Sequence, residues 1–335
     1  MQARRTRALV LAAGRGERLR PLTLACPKPL LPVAGRPLAS WTLARLRAAG
    51  VAAAALNLHH LGAAIRAELG AACRGLPLLY SEEPELLGTG GALPPLADFL
   101  GAAECALLVN GDSLCRWPFE RLLEAHRRRG AAVTLLVHRT AEPRRFGGGV
   151  AVEAGRVVAF RPGALAWQSA RTRRVFAGAA AIDPRLIARL PAGPSDIVTS
   201  LYEPLLEAGI EIAAVETARP WFDLGTPARY LEGALAWALE RLPERGAWLA
   251  PGARAEPGAK LARAVVESGA VVESGARVVD SLVMPGARVG AGARLSGSIL
   301  GPGAQVAPGE RLERTLRVEL GGETLERALD DGAPR

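Results

Sequence analysis

Apolar positions along the first two thirds of the chain come in short blocks that switch between strand-like and helix-like spacing. An apolar run at Ala8–Ala12 predicts a strand that opens into a turn containing Gly14 and Gly16. Leu38, Trp41, Leu43 and Leu46 recur at helical spacing, Val51 to Leu58 reads as a strand, Leu61 to Leu69 as a helix and Leu76 to Tyr80 as a strand. Further strands are predicted at Cys105 to Val109 and Ile210 to Val215, and a helix at Pro227 to Leu242. Strands that alternate with helices predict an α/β, Rossmann-like, mostly parallel sheet covered by helices.

The last third has a different period. Aliphatic or small residues stand at 249, 255, 261, then 266, 272, 278, then 283, 289, 295, then 300, 306, 312, with steps of six, six and five in four turns of 17 residues. Gly252, Gly258, Gly269, Gly275, Gly286, Gly292, Gly303 and Gly309 fall at fixed corners between the steps. Stacking such turns buries a continuous aliphatic column, which predicts a three-sided parallel β-helix, left-handed by resemblance to hexapeptide-repeat proteins. The expected organisation is the α/β domain over 1–242, a linker over 243–248, the β-helix over 249–316 and a tail or cap over 317–335. VELGGETLER in the tail predicts a hairpin that blunts the open edge of the last coil.

Composition narrows the function classes. A chain of 335 residues, 49% apolar and 22% charged, has enough apolar content for two soluble globular domains. The basic N-terminus is followed by an apolar run too short for a secretory signal or a membrane span, which predicts a cytoplasmic protein with no membrane partner. Cys26, Cys73, Cys105 and Cys115 have no paired spacing and read as reduced packing residues. The net charge of +9 comes from scattered arginines with no aromatic platform, zinc pattern or helix-turn-helix, so nucleic acid is not expected. A positive field steers anionic small molecules equally well.

The candidate chemistry starts at Leu11–Pro32, LAAGRGERLRPLTLACPKPLLP. Its Gly-rich turn lets backbone N–H groups close around a phosphate chain, and Arg18 follows directly. Lys28 is one of only two lysines, and the flanking Pro27 and Pro29 are expected to hold it in extended backbone. A dinucleotide fingerprint would need Gly where Leu19 stands, and a Walker loop would need Lys and Ser or Thr where Glu17 and Arg18 stand. Asp112 in Asn-Gly-Asp follows a strand and suits a hard divalent cation. A second Gly-rich loop, LLGTGGAL, carries Gly88, Thr89 and Gly90 after Glu85, whose carboxylate suits a base amide or a ribose hydroxyl. All four histidines precede the repeat, so the β-helix lacks the base of an acyltransferase and reads as a structural or oligomerising module.

LAAGRGERLRPLT followed by PKPLLPVAGRPL closely resembles the signature of the sugar-1-phosphate nucleotidylyltransferases. The resemblance implies an NTP and a sugar 1-phosphate as substrates and Mg²⁺ as cofactor. Arg18 and Lys28 become the catalytic cations, and Leu11, Ala12, Ala13, Gly14, Gly16, Glu85, Gly88, Thr89 and Gly90 the nucleotide site. Asp112 is joined as a metal carboxylate by Asp223, which stands in the family's W-x-D-x-G-T-P context. FGGGV and VFAGAAAIDP resemble the sugar side and implicate Gly149, Arg161, Ala177 and Gly178. Here Phe160-Arg161-Pro162 and Phe176-Ala177-Gly178 replace the Glu-Lys-Pro and Asn-Ala-Gly of many relatives, which leaves the sugar open. Mannose-1-phosphate guanylyltransferases and N-acetylmuramate-1-phosphate uridylyltransferases are the two resemblances, a glucose 1-phosphate enzyme is a further alternative, and a non-catalytic regulatory homologue is the reading of another class. The prism implies a homo-oligomer.

Overall fold

The structure is a computed structural model that describes residues 6–140, 149–160, 167–168, 170, 172–240, 242 and 246–329. Packing divides it into two compact units, residues 1–14 with 39–221, and residues 15–38 with 222–335.

In the first unit a ten-stranded mixed sheet forms the core. From one edge its order is Val150–Glu153, Arg156–Ala159, Ile212–Thr217, Val133–His138, Arg173–Ile182, Cys105–Asn110, Thr6–Leu11, Ala53–Leu58, Leu76–Glu82 and Ala72–Cys73. Thr6–Leu11 is parallel to both Ala53–Leu58 and Cys105–Asn110, and Ala53–Leu58 is parallel to Leu76–Glu82. Thr6–Leu11, Ala53–Leu58 and Cys105–Asn110 are mainly apolar because both faces are covered, whereas Leu76–Glu82 towards the edge is only partly buried. Leu9, Leu108, Leu135, Ile182 and Ile212 are buried in one continuous cluster. Arg173–Ile182 runs antiparallel between two of its neighbours, which makes the sheet mixed rather than purely parallel. The parallel register brings the carboxyl ends of four strands to one edge, followed there by Ala12, His59, Glu83 and Asn110–Asp112.

The expected strands and helices are found with small shifts of their ends. The helix expected over 227–242 spans Pro227–Leu239, and Ala247 and Trp248, expected in the linker, already belong with Leu249 to a strand paired with Ala264–Val266. Arg161 and Phe146 to Gly148 lie outside the described residues. Among the described residues no helix is long and apolar enough to cross a membrane.

In the second unit the repeat folds as a three-sided parallel β-helix. Val265 pairs with Leu282, Val271 with Arg288 and Arg277 with Arg294, each one 17-residue turn apart. The inward positions from Val266 to Leu312 are at most 5% exposed, whereas Leu249, in the end coil, is 39% exposed. A second column, Ala270, Ala276, Ala287, Ala293 and Ala304, completes the interior. Two corners of each turn use glycine at positive φ, and the third is made by Arg263, Asp280, Gly297 and Arg314 at φ 45–55°. The hairpin Thr315–Leu320 and Glu323–Ala328 continues the face built from Ala247–Leu249, Ala264–Val266, Leu282–Val283 and Ile299–Leu300.

That face carries the signature segment. The helix Pro227–Leu239 packs on its first three strands, and the short helix Leu22–Ala25 packs on Thr315–Leu320. Residues 15–38 therefore share a compact unit with the prism, and the expected boundary after residue 242 falls inside that unit. The contacts are specific: the Tyr230 hydroxyl donates to Pro32 O at 2.6 Å, and the Trp248 ring lies against Gly35. Gly35 N–H donates to the Glu267 carboxyl at 3.0 Å.

Glu267 is 1% exposed, and burial pushes its carboxyl up to about 7 against the opposing pull of the Gly35 N–H. Between its ordinary value of 4.5 and about 7, the folded chain holds a proton that the unfolded chain releases. Folded protein binds more protons there, so stability falls as pH rises through this window and levels off above it. Glu267→Gln should remove that slope, on the order of 3 kcal/mol between pH 5 and pH 8. Urea unfolding at both pH values measures it, and an unchanged slope in the variant would refute the role of Glu267.

Candidate functional site

The first Gly-rich turn emerges from the strand Thr6–Leu11 without regular structure over Ala12–Gly16 and passes into a single 3-10 turn, Glu17–Leu19. No long helix follows, which separates this cradle from the dinucleotide type. Gly14 is exposed, and no described protein atom lies within 4 Å of the position a Cβ would occupy there. The main chain at Ala12 is fixed from below by a buried polar chain. Ala12 N–H donates to Asn57 Oδ1 at 2.8 Å, and Asn57 Nδ2 donates to Glu83 Oε1 at 2.8 Å. Glu83 Oε2 accepts from Leu87 N–H at 3.1 Å. His59 Nδ1 meets Glu83 O at 2.8 Å.

This chain ties the two Gly-rich loops together. Glu85, expected at the base or ribose, is exposed, and Glu83 two residues earlier, 4% exposed, takes the structural part. A usable signal was present: Asn57 is a lone polar residue at the end of the apolar strand Ala53–Leu58.

The second loop folds as one helical turn, Gly88–Gly91. Gly90 and Gly91 N–H both donate to Ser195 O, and Ser195 N–H donates back to Leu87 O at 2.9 Å. A Cβ at Gly88, Gly90 or Gly91 would stand 2.2–2.8 Å from atoms of Gly193, Ser195 or Ser200. Close approach of the 193–200 segment therefore explains these glycines, and the N–H of Gly90, one of the expected nucleotide-site residues, is already engaged. The Thr89 hydroxyl donates to Asp196 Oδ2 at 3.1 Å and accepts from Ile197 N–H. The sequence reading missed Ser195 and Asp196, which lie more than a hundred residues from the loop they hold.

Asp112 follows Gly111, where a Cβ would sit 2.3 Å from Leu11 O, so only glycine lets the Asn-Gly-Asp turn approach the first strand. Asp112 is half-buried at the carboxyl edge. A bulge between Phe176 and Ala179 sets Gly178 beside the Asn110 and Trp117 side chains. Ala177 O accepts from Trp221 Nε1 at 3.0 Å, and Gly149 precedes the edge strand Val150–Glu153 at φ 85°. His138 stacks on Trp221 with centroids 5.6 Å apart, and burial lowers its basicity. The thiols of Cys105 and Cys115 are pushed up to about 12 by burial, in keeping with a packing role.

Arg18, Lys28 and Asp223 belong to the second unit. Lys28, 8% exposed, opens a 3-10 turn Lys28–Leu30 instead of the expected extended backbone. Pro29 fits the start of a helical turn, where its missing N–H has no partner to lose. Asp223 precedes a helix that starts with Thr226 as N-cap and Pro227 in its first turn, which accounts for the Thr-Pro of that motif. Arg229, from the first turn of that helix, donates to Asp223 Oδ2 at 2.7 Å. A Cβ at Gly225 would lie 2.8 Å from Asp223 Oδ1 and 3.0 Å from Arg18 Nη2. A guanidinium and a carboxylate thus face a common point that only glycine leaves open. Among the described residues no three His, Cys, Asp or Glu side chains cluster as a metal site. A hard divalent cation needs only one or two protein oxygens and completes its shell with water and phosphate.

The Asn57–Glu83 chain predicts a specific loss. Asn57→Ala leaves a buried carboxylate and the Ala12 N–H short of partners and should cost about 2–4 kcal/mol. Glu83→Gln, which keeps the size and an acceptor oxygen, should cost less than half as much. Denaturant unfolding of both variants checks this, and a larger cost for Glu83→Gln would overturn the assignment.

Comparison with known proteins agrees with this architecture. Residues 7–162 match the family model described as nucleotidyl transferase, and residues 248–315 match the model described as GlmU-like, C-terminal hexapeptide. The chain is 35% identical to a mannose-1-phosphate guanylyltransferase of Mycobacterium tuberculosis, over 77% of this chain and 74% of the relative. It is 32% and 31% identical to the mannose-1-phosphate guanylyltransferase catalytic subunits beta of Drosophila pseudoobscura pseudoobscura and Drosophila melanogaster, over 68% of this chain and 61% and 62% of theirs. The chain belongs to the sugar-1-phosphate nucleotidylyltransferases of the nucleotidyl transferase family, whose members generally use a divalent metal.

Proposed function

We propose that the chain joins GTP to mannose 1-phosphate with Mg²⁺, releasing pyrophosphate and an NDP-sugar. The observation that carries this reading is the pairing of Arg18 and Asp223 about the opening at Gly225, a phosphate-seeking cation beside a metal-seeking carboxylate. The printed names of the relatives support the choice of nucleotide and sugar.

In this reading the sugar phosphate oxygen attacks the α-phosphorus in line and pyrophosphate leaves, with no covalent enzyme intermediate. Positioning and charge neutralisation are then the protein's task. Asp112 and Asp223 would hold the metal, which supplies Lewis-acid polarisation of phosphate oxygens. Ala13, Gly14 and Gly16 offer main-chain N–H groups to the triphosphate, and Ala12, whose N–H is bonded to Asn57, fixes the start of the cradle. Arg18 neutralises the leaving phosphates, and Lys28 takes up charge that develops on the reacting phosphate. Arg229, bonded to one oxygen of Asp223, fixes the rotation of that carboxylate.

Pyrophosphate release from GTP, UTP or dTTP with mannose, glucose or N-acetylmuramate 1-phosphate tests the reading. Turnover highest with GTP and mannose 1-phosphate is expected. A preference for UTP with N-acetylmuramate 1-phosphate would replace the substrate, and no turnover of any pair would favour a regulatory role. Asp112→Asn and Asp223→Asn should each lower turnover about 10²-fold or more with the fold retained. Lys28→Ala should lower kcat more than nucleotide affinity. Near wild-type rates in the aspartate variants would sink the metal assignment.

We further propose a homo-oligomer formed through the β-helix. Light scattering on the full chain should report more than a monomer at micromolar concentration, and a monomer would reject it.

A further inference from the structure

Arg327 lies on the outer strand of the C-terminal hairpin, Glu323–Ala328, 309 residues along the chain from Arg18. Its Nη1 donates to Arg18 O and to Arg20 O, each at 2.9 Å. The two carbonyls flank Leu19, which is fully buried, so the main chain that leads out of Arg18 is held at two successive points by one guanidinium nitrogen. The hairpin is itself braced. Arg317, whose side chain is 11% exposed, donates to Glu310 of the last coil, and its Nε donates to Glu326 at 2.7 Å. Leu329 N–H donates to Arg314 O at 2.7 Å and closes the hairpin's end. A continuous set of bonds thus runs from the last coil through Arg317 and the hairpin to the main chain of Arg18.

We propose that Arg327 is a positioning residue for Arg18: the C-terminal hairpin holds the cradle's backbone so that the Arg18 guanidinium stays at the opening by Asp223 and Gly225. This rests on the reading in which Arg18 binds the leaving phosphates. Arg18 is exposed and sits on a single 3-10 turn, too short to be rigid alone. A guanidinium with several fixed donors can bond two carbonyls at once, and a charge-assisted bond to main chain is stronger than a neutral one. Because the hairpin grows from the prism, the β-helix acquires a part in the reaction without a reacting group of its own.

The test uses the full chain with Arg327→Met, which keeps most of the stem, and Arg327→Lys, which keeps the charge and can still donate. Steady-state kinetics are measured for both substrates, with direct binding of magnesium pyrophosphate and thermal unfolding alongside. Arg327→Met should weaken pyrophosphate binding and raise the KM for the nucleotide roughly tenfold. The KM for the sugar 1-phosphate should change less than about twofold, unfolding should be unchanged, and Arg327→Lys should recover most of the loss. Wild-type pyrophosphate binding and nucleotide KM in Arg327→Met would overturn the proposal. Equal losses toward both substrates with a lowered unfolding temperature would also overturn it, since they mark a general structural role. If the wild-type chain itself neither turns over nor binds pyrophosphate, the reading of Arg18 fails and this proposal falls with it.

Discussion

One buried contact organises the second unit: the Glu267 carboxyl, 1% exposed, against the Gly35 N–H. A carboxyl is not retained in an apolar interior unless it satisfies a group that would otherwise be orphaned. Here that group lies in the tight turn Ala34–Gly35, both at positive φ, between Pro32–Val33 and Arg36–Pro37. The turn closes the segment that begins at the phosphate cradle. With Tyr230 bonded to Pro32 O and Arg327 to Arg18 O, main-chain atoms near the beginning and end of that segment are fixed from the prism side.

The first unit solves the same problem in another way. Its loops are also held through main-chain N–H and C=O groups, but the anchors are Asn57 and Glu83 inside the sheet's edge and Ser195–Asp196 across from the second loop. In both units the side chains of the glycine-rich segments contribute little to their own geometry. Glycine removes bulk, and the fixing is done by distant polar residues. Such loops keep backbone donors oriented with little reorganisation, which electrostatic catalysis requires.

This division explains what the sequence discloses. The 17-residue repeat, the strand–helix alternation and the cradle are periodic or local, so counting finds them. The third corner of the β-helix was not visible as a glycine pattern because Arg263, Asp280 and Arg314 take the left-handed conformation that only Gly297 advertises. The structural part of Glu83 is not legible beside Glu85, because both stand near the loop and only burial separates them. Lys28 was expected in extended backbone from its following proline, yet the same proline is compatible with a first helical turn. Ser195, Asp196, Glu267 and Arg327 act across long stretches of chain, and a single sequence has no signal for such pairing. The affiliation of residues 15–38 with the prism follows from those same distant contacts.

The prism's three faces are consequently unequal, which bears on how two copies can meet. One face is covered by the helix Pro227–Leu239 and by the helix Leu22–Ala25. On the face built from Lys260–Ala262, Arg277–Val279, Arg294–Ser296 and Arg311–Glu313, the register stacks Lys260, Arg277, Arg294 and Arg311 in one exposed row. Neighbours in such a row are about 4.8 Å apart, within the screening length at physiological salt, so the row repels itself. A two-fold contact would set row against row and add to that repulsion. The remaining face outwardly mixes Arg254, Val271, Arg288 and Gln305, with Glu273 paired to Arg288. Its charge is partly neutralised by the Glu273–Arg288 pair, so this face carries less like-charge repulsion than the row of four cations. If two copies met through the prism as proposed, that face would carry the lower electrostatic cost of the two.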